Sequence, residues 1–133
     1  MLKPLLALAT VFSMSSAFAA ETITCTLEGK KEVVATLKAK GQSRGDRVYS
    51  VTLDDSVSSG FLGVEDRSVF VDAKKKGADV LDDFDGNSEV RLSFGKGFLA
   101  AKAGATSRTF LMVDYNDIEQ DHVSHVLTCT VKN

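Results

Sequence analysis

The densest set of side chains able to do chemistry lies in the acidic stretch Asp79 to Glu89. There Asp83, Asp85, Asn87 and Glu89 alternate around the tight Asp85-Gly86-Asn87 segment. Oxygen-bearing side chains at that spacing make a candidate calcium site, because the ion takes about six to eight oxygen ligands. The EF-hand arrangement is not met. With Gly86 as the loop's sixth residue, Leu81 and Leu92 would stand at the first and twelfth ligand positions. A solvated hairpin turn is the plainer reading, since Asp-Gly is a strong turn signal. Asp114 to Asp121 forms a second acidic loop of the same kind.

His122 and His125 are the only histidines and stand three residues apart. On a strand that spacing points the two imidazoles to opposite faces, so they would not share a metal. A helix would bring them together, but Val123, Val126, Leu127, Thr128 and Val131 favour a strand. Two histidines are also too few for a three-histidine zinc centre. His122 is therefore expected to face solvent, and His125 to face inward and hydrogen-bond a backbone group. No serine sits in a Gly-x-Ser-x-Gly elbow. Gly95-x-Gly97 lacks the strand-and-helix context of a phosphate loop. Arg44-Gly45-Asp46 spells an adhesion tripeptide, although a polar turn explains it equally well. No catalytic residue and no cofactor is assigned, and calcium is the single ion considered.

The two cysteines carry a firmer expectation. Cys25 and Cys129 have matching contexts, Thr24-Cys25-Thr26 and Thr128-Cys129-Thr130. With alternate residues sharing a face, Ile23, Cys25 and Leu27 would point inward, as would Leu127, Cys129 and Val131. A disulfide between them requires the terminal strands to lie side by side or to face one another across the core. Closing so long a loop would stabilise the fold by about 4–5 kcal/mol through loop-closure entropy. A redox role would call for Cys-x-x-Cys, and structural zinc for more ligands.

Oxidised cysteines require an oxidising compartment, and the N-terminus agrees with one. Lys3 is followed by the uncharged apolar run Leu5 to Met14, and Ala17 and Ala19 are the small residues that a signal peptidase accepts. Residues 1–19 are read as a removed signal peptide and 20–133 as a single β domain. The apolar run is shorter than the roughly 20 residues of a membrane span, and no membrane span is expected in the mature chain. The location expected is periplasmic or secreted. Removing Lys3 leaves 15 basic residues against 18 acidic ones. A mildly acidic chain has no electrostatic footprint for nucleic acid.

The elements that must position these residues read as short strands. Alternation marks Glu21–Glu28, Glu32–Ala39, Arg47–Leu53, Ser88–Phe94, Arg108–Tyr115 and His122–Val131 as half-buried strands. Phe61–Val64, Ser68–Asp72 and Phe98–Lys102 are further candidates. Lys40–Asp46 and Asp54–Gly60 read as polar loops, and Ala73–Asp83 and Phe98–Ala105 could each hold a helical turn. The result is an all-β fold, a small antiparallel barrel or sandwich of about eight or nine strands whose terminal strands are joined by a disulfide. A membrane-spanning barrel is disfavoured, because Thr22, Thr24, Lys38, Glu89 and Arg91 would face lipid.

Three functions follow as expectations. The first is a non-enzymatic protein-binding module, an inhibitor or accessory subunit, whose partner is another exported or cell-envelope protein. The second is a carrier of a small ligand or lipid, with Leu92, Phe94, Phe110 and Met112 lining a barrel cavity. The third is a metal-assisted enzyme using the acidic or histidine segments.

Overall fold

In the computed structural model, which describes residues 20–43, 46–58, 67–115 and 122–133, the chain is an eight-stranded closed antiparallel barrel. The strands are β1 (Thr22–Leu27), β2 (Val33–Ser43), β3 (Asp46–Leu53), β4 (Arg67–Val71), β5 (Ala78–Phe84), β6 (Ser88–Gly95), β7 (Thr106–Tyr115) and β8 (His122–Val131). Each pairs with the next in the chain, and β1 closes the wall against β8. Closure leaves no open sheet edge to template pairing with another chain.

Alternation within the strands builds the core. Ile23, Cys25, Leu37, Tyr49, Val51, Val69, Leu81, Val90, Leu92, Leu111, Leu127 and Cys129 all point inward and are buried. Each such aliphatic side chain contributes about 1.5–3 kcal/mol by leaving water. The disulfide lies within this core. Cys25 and Cys129 are directly opposite residues of the β1–β8 ladder, with Cα atoms 4.0 Å apart across a sequence separation of 104. Of the two geometries open to the bond, the structure adopts the side-by-side one. The matching Thr-Cys-Thr contexts then have a physical meaning: Thr24 pairs with Thr130 and Thr26 with Thr128 on the outer face, as cross-strand threonine pairs that support the ladder.

Several elements depart from the expectation. β2 runs on through Lys40 to Ser43, where a polar loop was expected. A register shift lies between Ala39 and Gln42, and Gly41 at φ 96° supplies the left-handed residue that such a bulge needs. Phe98 begins a 3-10 turn, Phe98–Ala100, rather than a strand, which is the helical turn that the Phe98–Ala105 segment allowed. The Asp54–Gly60 loop contains one helical turn, α1 (Asp55–Ser58). Asp54 caps it, its carboxylate accepting from the Ser56 amide at 3.0 Å and the Ser56 hydroxyl at 2.6 Å, and Val57 is driven into the core. The Ala73–Asp83 segment holds most of β5 rather than a helical turn. The expected strand Phe61–Val64 and the leader 1–19 lie outside the described residues.

Candidate functional site

The meander places alternate connections at opposite ends of the barrel. The Phe98 end carries the β2–β3, β4–β5 and β6–β7 connections together with Ala20 and Asn133. The Arg67 end carries the other four connections and α1.

At the Phe98 end the plug is apolar. Phe94 and Phe98 stack with ring centroids 5.1 Å apart, and Leu99 is buried beside them. The Leu99 amide donates to Asp79 Oδ2 at 3.0 Å, which pins the 3-10 turn to β5. Tyr49 donates its hydroxyl to the Ala20 carbonyl at 2.7 Å. Burial raises the Tyr49 phenol above its ordinary value, so the proton needed for that bond is held tightly. Around this plug stand Lys40, the Lys74-Lys75-Lys76 run, Lys96, Lys102 and Lys132; Glu21, Asp46, Asp72 and Asp79 are the acids of the same end among the described residues. Beside the plug is a cleft of about 250 Å³ between the β4–β5 connection and the 3-10 turn. A broader groove of about 450 Å³ lies along the β6–β7 crossover, lined by Lys96, Phe98, Ser107 and Arg108 among others.

At the Arg67 end the plug is charged. β3 pairs Val51 with Arg67, so the guanidinium enters the barrel on the Val51 face. Its side chain is only 10% exposed. Asp83 Oδ2 accepts from Nε at 2.9 Å and lies 2.9 Å from Nη2. Nη1 donates to Ser88 Oγ at 2.8 Å, and Nη2 donates to the Asp83 and Ser88 carbonyls at 3.1 Å each. Asp85 adds a longer ion-pair contact at 3.8 Å. A buried charge is tolerated when it is paired and its donors are satisfied, and Arg67 meets both conditions. The sequence reading missed this residue, placing it in a polar link before a strand. The signal was nonetheless there, since Val69 and Val71 point inward and Arg67 continues that face.

The four residues considered for calcium are distributed rather than gathered. The β5–β6 ladder pairs Asp83 with Val90 and Phe84 with Glu89. An odd position on β5 therefore shares its face with an even position on β6. Asp83 turns inward to Arg67, while Glu89 turns outward to Arg91, at 3.0 Å. Asp85 accepts from the Asn87 and Ser88 amides at 2.9 Å each, closing the turn around Gly86 at φ 96°. Those amide bonds hold the Asp85 carboxyl below its ordinary value. Among the described residues, no three His, Cys, Asp or Glu side chains converge on a point that could hold a metal ion.

On the outer wall Arg91 bridges Glu89 and Asp82, the latter at 3.5 Å. A hydrogen bond with Asp82, then burial, raises the Glu89 carboxyl. Glu89 thus holds its proton more tightly than it would in water.

His122 is exposed and His125 shares the inward face of Cys129, as the strand reading required. The bond expected of His125 is not formed at Nε2, which is buried without a partner; the Ser58 hydroxyl in α1 is buried in the same condition. The carrier reading had also turned β7 the wrong way. Phe110 is 53% exposed and Met112 faces outward with it, while Thr109, Leu111 and Val113 point inward. Residues 110 to 113 are all apolar, so alternation alone could not orient the strand; pairing of Leu111 with Leu92 decides it. Arg44, Gly45 and 116–121 of the second acidic loop lie outside the described residues.

No family model matches the chain, and neither a curated protein nor a solved structure is significantly similar to it.

Proposed function

We propose that this chain is a non-enzymatic binding module of the exported compartment that docks an acidic partner protein against its Phe98 end. The observation that carries this reading is the segregation of charge along the barrel axis. Lysines crowd the connections of the Phe98 end, whereas at the other end Glu28, Glu32, Asp54, Asp55, Asp83 and Asp85 outnumber Lys30, Lys31 and Arg67. Fields of one sign over one face steer association and select partners of the opposite sign. A closed barrel stapled between its first and last strands holds that face rigid, which lowers the ordering cost of binding.

Other features agree with this choice. The inward positions are filled by Leu, Val, Ile, Tyr49 and Phe94, as in eight-stranded barrels just wide enough for their own side chains. The polar outer positions Thr22, Thr24, Lys38, Glu89 and Arg91 suit water rather than lipid. No helix among the described residues is long and apolar enough to cross a membrane. Export rests on the leader sequence and is consistent with the disulfide.

The test is affinity capture from the exported fraction, comparing the natural chain with a Lys74→Glu, Lys75→Glu, Lys76→Glu variant at low and high salt. A protein retained by the natural chain, and lost with the variant and at high salt, is the expected result. Equal retention by both chains, or none by either, would sink the reading.

A further inference from the structure

Among the described residues, every seam of the barrel but one is held by four or more facing residue pairs. The β4–β5 seam holds two, Phe70 with Asp82 and Val71 with Leu81. The Asp72 amide adds one bond, donated to the Val80 carbonyl at 2.9 Å. Both strands run on toward the Arg67 end, where the same register would set Val69 opposite Asp83 and Ser68 opposite Phe84. Those pairs are not formed. A side chain spans the gap instead: Arg67, at the start of β4, donates to the Asp83 carboxylate and carbonyl on β5 and to Ser88 on β6. β4 is also the shortest strand, at five residues, and Val69 is its one fully buried side chain. By contrast β6 buries Ser88, Val90, Leu92 and Phe94.

We infer that β4 and β5 part as a unit while the rest of the barrel stays folded, and that the Arg67 guanidinium is the latch released in that opening. Local opening selects the part of a structure with the fewest ladder bonds and the least buried apolar surface, and β4 has both. Parting β4 from β5 breaks two facing pairs, whereas parting β7 from β8 breaks nine. Parting β1 from β8 is barred by the disulfide. Charge-assisted hydrogen bonds are about twice as strong as neutral ones, so the guanidinium carries a large share of what holds a seam so short of backbone pairs. The inference does not require a protein partner, and its failure would leave the docking reading standing.

Native-state hydrogen exchange, followed by two-dimensional amide NMR on the purified, oxidised protein, tests it. The amides of Phe70, Asp72 and Asp82 are expected to be roughly a hundredfold or more less protected than the slowest amides of β7 and β8. Arg67→Lys and Asp83→Asn should each lower that seam protection by roughly a further tenfold or more, because the contact they weaken exists in the closed form and not in the opened one. Cys25→Ala with Cys129→Ala, a change that acts chiefly on the unfolded chain, should lower protection in β7 and β8 and leave the seam amides unchanged. Seam amides as protected as those of β7 and β8 would overturn the inference. It is also overturned if Arg67→Lys lowers protection in β7 and β8 but not at the seam, since the latch would then stay fastened in the opened form. Equal loss at the seam and in β7 and β8 on removing the disulfide would mean exchange by global unfolding alone, with the same consequence.

Discussion

The two ends of the barrel close the same eight-stranded wall by opposite chemistry. At the Phe98 end, stacked Phe94 and Phe98 and the buried Leu99 fill the opening with apolar surface. At the Arg67 end, a guanidinium held by Asp83, Ser88 and two carbonyls does so. An apolar plug is non-directional, and a different side chain of similar volume can repack it. A charged plug is directional, and each donor that loses its acceptor incurs a desolvation cost. Sequence change at the two ends should therefore be tolerated very differently, although both are buried to a similar degree.

The sharpest way to break this comparison is to remove the buried cation. Arg67→Ala leaves the half-buried Asp83 unpaired and is expected to destabilise the protein by about 3 kcal/mol, read as a lowered urea midpoint. A second change, Asp83→Leu in the same chain, should recover part of that loss, because it removes the orphaned carboxylate. No recovery would mean that Arg67 acts through packing rather than charge.

The disulfide, which belongs to neither end, should give the next largest effect. Cys25→Ala with Cys129→Ala is expected to cost about 2–5 kcal/mol, measured by thermal melting, with the strand pairing otherwise preserved in the circular dichroism spectrum. A loss confined to under about 1 kcal/mol would show that the β1–β8 ladder closes without help from the bond.

Conservative changes then sharpen the contrast. Arg67→Lys replaces a planar fork that serves four groups by a point charge, and should cost about 2–3 kcal/mol. Phe98→Leu at the apolar end should cost less than about 1.5 kcal/mol. Comparison of the two urea midpoints checks the prediction directly; equal losses would remove the distinction between the ends.

The smallest effect is on the outer wall. Glu89 has its carboxyl raised above the ordinary value of 4.5, first by its hydrogen bond with Asp82 and then by burial. A raised folded value means that the proton is held more tightly in the folded chain. The associated stability is fully present below the unfolded value and is lost as pH rises through the folded one. Glu89→Gln should flatten the stability profile as pH rises above the ordinary carboxylate value of 4.5 and change stability at neutral pH by less than about 1 kcal/mol. Urea midpoints taken across that range provide the measurement.

The faces of single strands were legible in the amino-acid order. Ile23 and Cys25 on β1, Tyr49, Val51 and Leu53 on β3, Val90, Leu92 and Phe94 on β6, and Leu127, Cys129 and Val131 on β8 all point where their alternation places them. The candidate site was less legible. The lysines of the Phe98 end are scattered over connections far apart in sequence, and only a meander brings those connections to one rim. Arg67 looked like part of a solvated link because its inward neighbours lie on β3, β5 and β6 rather than beside it in the chain.

What the sequence determined by itself is thus local: the all-β class, the inward faces of the well-alternating strands, and a pair of cysteines placed to bond. Side-chain period two is a property of one strand's own backbone and needs no partner. Tertiary structure alone decided which strands are neighbours, and with them the side-by-side disulfide, the outward turn of Phe110 and the opposite faces of Asp83 and Glu89. Those follow from ladder register, and a register shift of one residue exchanges the two faces of a strand. Register is set between strands that are distant in the chain, so the order of residues within one strand does not fix it.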